Sequence, residues 1–174
     1  ENSVKVPFVA SHPGRIPQGL VQPAMVASYD FMPTLLDYLD LPLPEGRNLA
    51  GTSFLPSLLG QSDSARENVI VYDEYGDTRM VRTQDWKYIH RHPDGPNELY
   101  DLVNDPGERE NLVDDEGQAA RISDLKGILQ DWFTRYADPD KDGLDRGVSG
   151  GGQLRRIGKD FDDGSEAFAR HYKA

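Results

Sequence analysis

The sequence predicts a mixed chain in two ordered parts. Residues 1–62 read as α/β, an apolar strand followed by a helix. Residues 63–136 read as a small α+β subdomain, a four-stranded antiparallel sheet covered by a C-terminal helix. Three observations predict this. A short run apolar on both alternations is followed by a helical stripe. Four strand-like runs then follow at close spacing, with turn residues between them. One long amphipathic stretch comes after the last of them.

Taken in order, KVPFVA (residues 5–10) places Val6 and Phe8 on one alternation and Pro7 and Val9 on the other. That pattern predicts a strand buried on both faces, as inside a parallel sheet. A loop with Pro13-Gly14 as its turn signal comes next. Asp30 is placed to cap a helix with Pro33 in its first turn, and Met32, Leu35, Leu36 and Leu39 form its apolar stripe. LPLPEG ends it. Residues 53–59 can add one or two helical turns closed by Gly60.

After the polar linker QSDSARE, strands are predicted over residues 69–72, 79–82, 86–90 and 98–102, joined by loops carrying Gly, Asp, Asn or Pro. This is the pattern of an antiparallel meander. In the turn around NDPG, Pro106 followed by Gly107 suits type II geometry. A helix from about Ala119 to Tyr136 lines up Ile122, Leu125, Leu129, Trp132, Phe133 and Tyr136, a face suited to cover the sheet. Residues 137–174 lack apolar periodicity and read as an extended tail, with a short helix around Phe168 and Tyr172.

The charge balance limits the partners. Thirty acidic residues against 19 basic ones give a formal net charge of −11. Such a surface repels phosphate backbones, so no nucleic-acid partner is expected. No apolar run reaches the length of a membrane span, so no membrane partner is expected. The absence of cysteine excludes disulfides and thiolate metal sites.

The chemical motifs are incomplete. DPDKDGLDRG opens as an EF-hand loop does, with Asp138, Asp140, Asp142 and Gly143 in the required pattern. Counted from Asp138, however, the ninth position is Arg146 and the twelfth is Ser149, where a bidentate carboxylate belongs. An Asp-Pro turn ending a helix accounts for it better, and calcium binding is expected to be about millimolar at best. His90 and His92 would share a strand face but lead into a Pro-Asp turn, which suits a solvated strand end. His12 lies just past the C-terminal end of the predicted buried strand, where α/β sheets bind ligands. Arg79 and Arg82 have acids enough nearby to pair with. No Gly-x-Ser-x-Gly stretch exists, and VSGGGQ lacks the flanking strand and helix of a phosphate loop.

Several segments together resemble the sulfatases. VPFVASHPGRIPQG is similar to the stretch that follows their catalytic lysine loop. ASYDFMPTLLDYLDLPLPEGRNLAGTSFLPSLLG resembles their next block. MVRTQDWKYIHRHPDGPNELYDLVNDPGERENL is similar to their C-terminal subdomain. The order and spacing agree over about residues 1–136. The resemblance implies an alkaline-phosphatase-like fold, with residues 1–62 the end of its α/β domain, and hydrolysis of a sulfate ester by a formylglycine hydrate set against calcium. In the family those groups lie upstream of the stretch matching Glu1, so the chain is expected to begin just after the catalytic set. Its expected partner is that N-terminal catalytic region, its substrate a sulfated carbohydrate, and its location periplasmic or secreted. No catalytic or metal residue carries over. His12, Tyr75, Arg79 and His90 are the candidates for the substrate rim. The chain alone is expected to be inactive, with the apolar residues of its first part partly exposed. Two rivals remain: a non-enzymatic acidic α+β binding module, and a fragment of a related phosphodiesterase or phosphonate hydrolase.

Overall fold

A computed structural model describes residues 4–62, 66–72, 78–92, 95–140 and 142. Tyr75, Arg146, Ser149 and the proposed tail helix around Phe168 and Tyr172 lie outside them. The chain divides into two compact units, Glu1–Val69 and Ile70–Ala174.

Unit 1 is built around one buried carboxylate. A 3-10 turn (Ser28–Asp30) leads into α1 (Phe31–Tyr38), and a short α2 (Leu55–Leu58) follows. Asp30 was expected to cap α1, but its side chain makes no cap hydrogen bond there. It is buried instead, and it holds three chain segments. Its Oδ2 accepts from the Ala27 amide at 2.8 Å, its Oδ1 accepts from the Thr52 amide at 2.9 Å, and Arg66 pairs with it at 3.3 Å. The Thr34 hydroxyl donates to the Asp30 carbonyl at 2.7 Å and accepts from the Phe54 amide at 3.0 Å. The YDFMPT stretch is therefore a polar clasp on the AGTSF segment. Gly51 is required in that clasp, because a Cβ there would fall 1.9 Å from the Tyr29 carbonyl oxygen. Ser53 donates to Asp37 at 2.5 Å. Beyond α1, Asp40 takes a left-handed φ of 61°, and the Leu41 amide reaches back to the Leu36 carbonyl at 2.9 Å, closing the helix as a Schellman cap.

One further expectation for unit 1 is corrected. Residues 5–10 form no strand, because among the described residues no neighbouring strand pairs with them. The apolar residues of this part are exposed as expected, with Val6 at 74% and Val9 at 89%. Met32, Leu35 and Leu39 are exposed, while Pro33 and Thr34 are buried. The clasp fixes which side of α1 turns inward, and it selects the polar Thr34 side.

Unit 2 follows the sequence pattern closely. Strands β1 (Asn68–Tyr72), β2 (Thr78–Thr83), β3 (Trp86–Arg91) and β4 (Glu98–Asp101) form one sheet in the order β1-β2-β3-β4. The antiparallel register sets Val81 opposite Tyr88, and Tyr88 opposite Leu99. Those three join Ile70, Leu125, Leu129 and Phe133 in one core, so α3 (Ala119–Tyr136) covers that face. The β2–β3 turn is tied by the Thr83 hydroxyl, which accepts from the Trp86 amide at 3.0 Å. The outer edge of β4 is covered by the chain itself: Leu99 donates to Asn111 Oδ1, and Leu112 donates to the Leu99 carbonyl, both at 2.9 Å.

The turn after β4 departs from type II. The hydrogen bond runs from the Glu108 amide to the Asp105 carbonyl, and the positive φ, 54°, falls on Glu108 rather than Gly107. Asp105 Oδ2 accepts from the amides of Arg109 and Glu110, which draws the chain back one residue later than a type II turn would. This geometry carries the Glu108 carboxylate to Lys87 on the sheet face away from α3, and the two form an ion pair. The Trp-Lys-Tyr and Asp-Pro-x-Glu segments thus meet through one buried cation.

Candidate functional site

The four rim candidates fall into both units. In unit 1, His12 accepts from or donates to the Tyr38 hydroxyl through Nδ1, and the two rings lie 5.8 Å apart. Arg15 lies over the same tyrosine ring at 4.0 Å and donates to the Tyr38 carbonyl at 2.7 Å. The backbone from His12 to Ile16 forms a turn, with Arg15 and Ile16 amides returning to the His12 carbonyl. His12 and Arg15 are exposed, so this group presents an imidazole and a guanidinium on one tyrosine support. The guanidinium also suits the negative end of α1.

In unit 2, Arg79 and His90 are directly paired across β2 and β3, on the face that α3 covers. Arg79 is buried; its guanidinium lies 3.6 Å from the centre of the Phe133 ring and pairs with Asp142. His90 is half-buried and stacks on Tyr88 at 6.2 Å. Lys126 lies over the same tyrosine, with Nζ 5.9 Å from the Tyr88 ring. Tyr75 lies outside the described residues. The structure therefore brings Arg79 and His90 together and places both along the helix–sheet seam rather than on an open hairpin. Lys126, Arg15 and Tyr38 were not singled out in the sequence, and Asp142 was named only for the calcium-loop pattern. Their contacts join residues distant along the chain and leave no periodic trace.

The electrostatics follow this placement. Burial holds the His90 imidazole below its usual pKa, and the charges of Lys126, His92 and Arg79 push the same way. On the other sheet face, Arg91 pairs with Glu98 at 2.6 Å and Tyr100 donates to Glu98 at 2.7 Å. Burial alone would raise the Glu98 carboxyl, but those hydrogen bonds and the charges of Arg91 and Lys87 outweigh it and hold it low. Burial pushes the Tyr88 phenol up to about 12, and burial with the Glu98 hydrogen bond does the same for Tyr100.

These shifts set a pH dependence. A raised phenol pKa means the fold keeps the proton that the unfolded chain begins to lose near 10.0. The contribution is intact below that value and is lost as the pH rises from there towards about 12. A depressed His90 pKa works the other way: its contribution is present above 6.5 and is lost as the pH falls through the folded value. Thermal unfolding across pH is expected to show a plateau with both limbs. Tyr100→Phe should shallow the alkaline limb and His90→Gln the first part of the acid limb. Unchanged limbs in these variants would assign the pH dependence to other groups.

The described residues contain no group of three or more His, Cys, Asp or Glu that could hold a metal ion. Asp142 of the DPDKDG stretch pairs with Arg79.

Comparison with known proteins decides the family. The family model for the C-terminal part of N-sulphoglucosamine sulphohydrolase matches residues 1–134. The chain belongs to this family. Among relatives of the sulphohydrolase C-terminal family, a Delta 4,5-hexuronate-2-O-sulfatase of Bacteroides thetaiotaomicron is 32% identical over 151 residues, covering 79% of this chain and 30% of that protein. The solved structure of a 2-O GAG sulfatase is 34% identical with a TM-score of 0.53, covering 64% of this chain and 25% of that one. A phosphonate monoester hydrolase from Silicibacter pomeroyi shares the fold, at 24% identity and a TM-score of 0.60 over 74% of this chain and 29% of its own. The alkaline-phosphatase-like fold expected for the parent is thus the fold of the sulfatases that this chain matches. The chain spans under a third of the length of the curated relatives it matches.

Proposed function

We propose that this chain is the C-terminal part of a sulfatase that hydrolyses a sulfate ester on a glycosaminoglycan-type sugar. The match of the sulphohydrolase C-terminal family across residues 1–134 carries this reading. The sugar class is supported by the hexuronate-2-O-sulfatase relative. The formylglycine nucleophile and the calcium that would activate it are assigned to an N-terminal catalytic region. The chain has no cysteine, one of the two residue types from which a formylglycine is made. In such an enzyme the divalent cation stabilises charge on the sulfuryl oxygens. This chain's part is to bind and orient the sugar at the rim, with His12 and Arg15 of unit 1 as exposed donors. Secretion or a periplasmic location belongs to the same reading.

The experiment is sulfate release by the full parent enzyme from a 2-O-sulfated unsaturated hexuronate disaccharide, beside an aryl phosphonate and beside the isolated chain. Turnover of the sulfated sugar by the parent alone is expected. Preference for the phosphonate would replace the sulfatase reading with the hydrolase that shares its fold. Metal-dependent turnover by the isolated chain would show that the catalytic set lies within these residues.

A further inference from the structure

Unit 1 sets two donor side chains on one aromatic support. Pro13 and Gly14 take the central places of a turn, Gly14 with a left-handed φ of 82°, and the Arg15 amide returns to the His12 carbonyl at 3.1 Å. This is the pattern of a type II turn, and it brings its first and last residues, His12 and Arg15, within about 7 Å at Cα. Both then meet Tyr38, the last residue of α1. The tyrosine hydroxyl bonds His12 Nδ1. The Arg15 guanidinium lies 4.0 Å from the ring centre and donates through Nη2 to the Tyr38 carbonyl at 2.7 Å. These contacts fix the two side chains without using up their donors. A guanidinium has two bidentate edges that share Nη2, and giving one Nη2 hydrogen to a carbonyl leaves the other edge open. With the Tyr38 hydroxyl donating to Nδ1, the His12 ring carries its proton on Nε2, away from the tyrosine. Among the described residues, Arg15 Nε and Nη1 and His12 Nε2 make no hydrogen bond, and no carboxylate pairs with either side chain. Both side chains are exposed, in a chain of 30 acidic and 19 basic residues.

We propose that Arg15 and His12, held on Tyr38, form a subsite for the carboxylate of a hexuronate and so select a uronate over a neutral hexosamine. The inference deepens the proposed function and rests on it. In that reading the sulfate lies at the divalent cation of the catalytic region, and a hexuronate brings a second anion, its carboxylate, that needs a partner at the rim. A planar carboxylate fits the open edge of the guanidinium through two parallel N–H···O bonds, and His12 Nε2 adds a third donor. An N-acetylglucosamine sulfate, the kind of substrate named for another relative, offers no carboxylate to this pair.

Two measurements test it. The first is titration of the 174-residue chain with glucuronate, beside glucose and inorganic sulfate, at constant ionic strength set with chloride, following the His12 ring and the Arg15 Nε–H by NMR. Both signals are expected to move with glucuronate, not with glucose, and less with sulfate; Arg15→Ala should abolish the His12 response. The second is turnover by the full parent enzyme of the 2-O-sulfated unsaturated hexuronate disaccharide and of its carboxyl methyl ester. Arg15→Ala should raise KM for the acid at least about tenfold, as loss of a charge-assisted bidentate contact requires, and leave kcat nearly unchanged. Arg15→Lys, which keeps the charge but not the fork, should recover part of the loss. The ester should be turned over equally by all three, which also shows that the variants fold. No glucuronate response, an equal response to sulfate, or the same loss of turnover on acid and ester would each overturn the proposal. A glucuronate response in the chain without turnover of either sulfated sugar by the parent would remove the sulfatase reading instead and leave the carboxylate site.

Discussion

Glu108→Ala is expected to cost unit 2 about 3–5 kcal/mol, the range for removing one partner of a buried ion pair. The asymmetry of the pair is the reason. The Lys87 side chain is 2% exposed, while that of Glu108 is 20% exposed. Removing the carboxylate takes an anionic partner from an ammonium that water scarcely reaches. Removing the ammonium leaves a carboxylate that can still be hydrated, so Lys87→Met should cost less. The double variant should recover part of the loss, because the buried charge is gone and an apolar chain of similar length fills the space. Both tryptophans, Trp86 and Trp132, lie in unit 2, so urea unfolding followed by their fluorescence reads this unit directly. A cost below about 1 kcal/mol, the range of an exposed pair, would mean that Lys87 finds water or another acceptor when Glu108 is removed.

The pair also shows what a sequence can and cannot disclose. Unit 2 was legible because its signals are local. The turn residues between the strands and the 3.6-residue stripe of α3 are properties of neighbours in the chain, and the strand ends shifted by only a residue or two. The Lys87–Glu108 contact is not local. It depends on Glu108 accepting a left-handed φ so that its side chain turns back to β3, and the local reading placed the positive φ on Gly107 instead. The rim candidates divided in the same way. The pairing of Arg79 with His90 follows from hairpin register, but their position under α3, and the return of Asp142 onto Arg79, required the tertiary path of the chain.

Unit 1 was less legible, for a physical reason. A strand is a pairing relation, so residues 5–10 can be apolar on both alternations and still form no strand where none pairs with them. The apolar stripe on α1 stays exposed, as expected for this part of the chain, and hydrogen bonds that periodicity does not count decide which side turns inward. Asp30 and Thr34 draw the helix towards the Thr52–Phe54 backbone, and Met32, Leu35 and Leu39 are left outward. The resemblance of the YDFMPT and GTSF segments to the sulfatases thus has a physical basis: the two are the halves of one clasp.

That clasp gives the second large effect. Asp30→Ala is expected to remove the order of unit 1 rather than merely weaken it. The substitution leaves the Ala27 and Thr52 amides without their acceptor and Arg66 without its carboxylate. A buried donor left unsatisfied costs about 1–3 kcal/mol. Breaking a buried ion pair costs about 3–5 kcal/mol. Unit 1 has little apolar packing to offset such a loss: in its described residues Phe54 is the one large apolar side chain that is fully buried, and much of the rest is exposed. Asp30→Asn is the informative companion. Its single carbonyl oxygen can keep one of the two amides but cannot pair with Arg66, so an intermediate loss is expected. Hydrogen exchange at the amides of Ala27, Thr52 and Phe54 reports the clasp itself. The alanine variant should bring all three towards unprotected rates, including Phe54, whose acceptor is Thr34 rather than Asp30. Unchanged protection at Phe54 would show that Thr34 holds its half of the clasp alone, and that the carboxylate at its centre is not what orders this part of the chain.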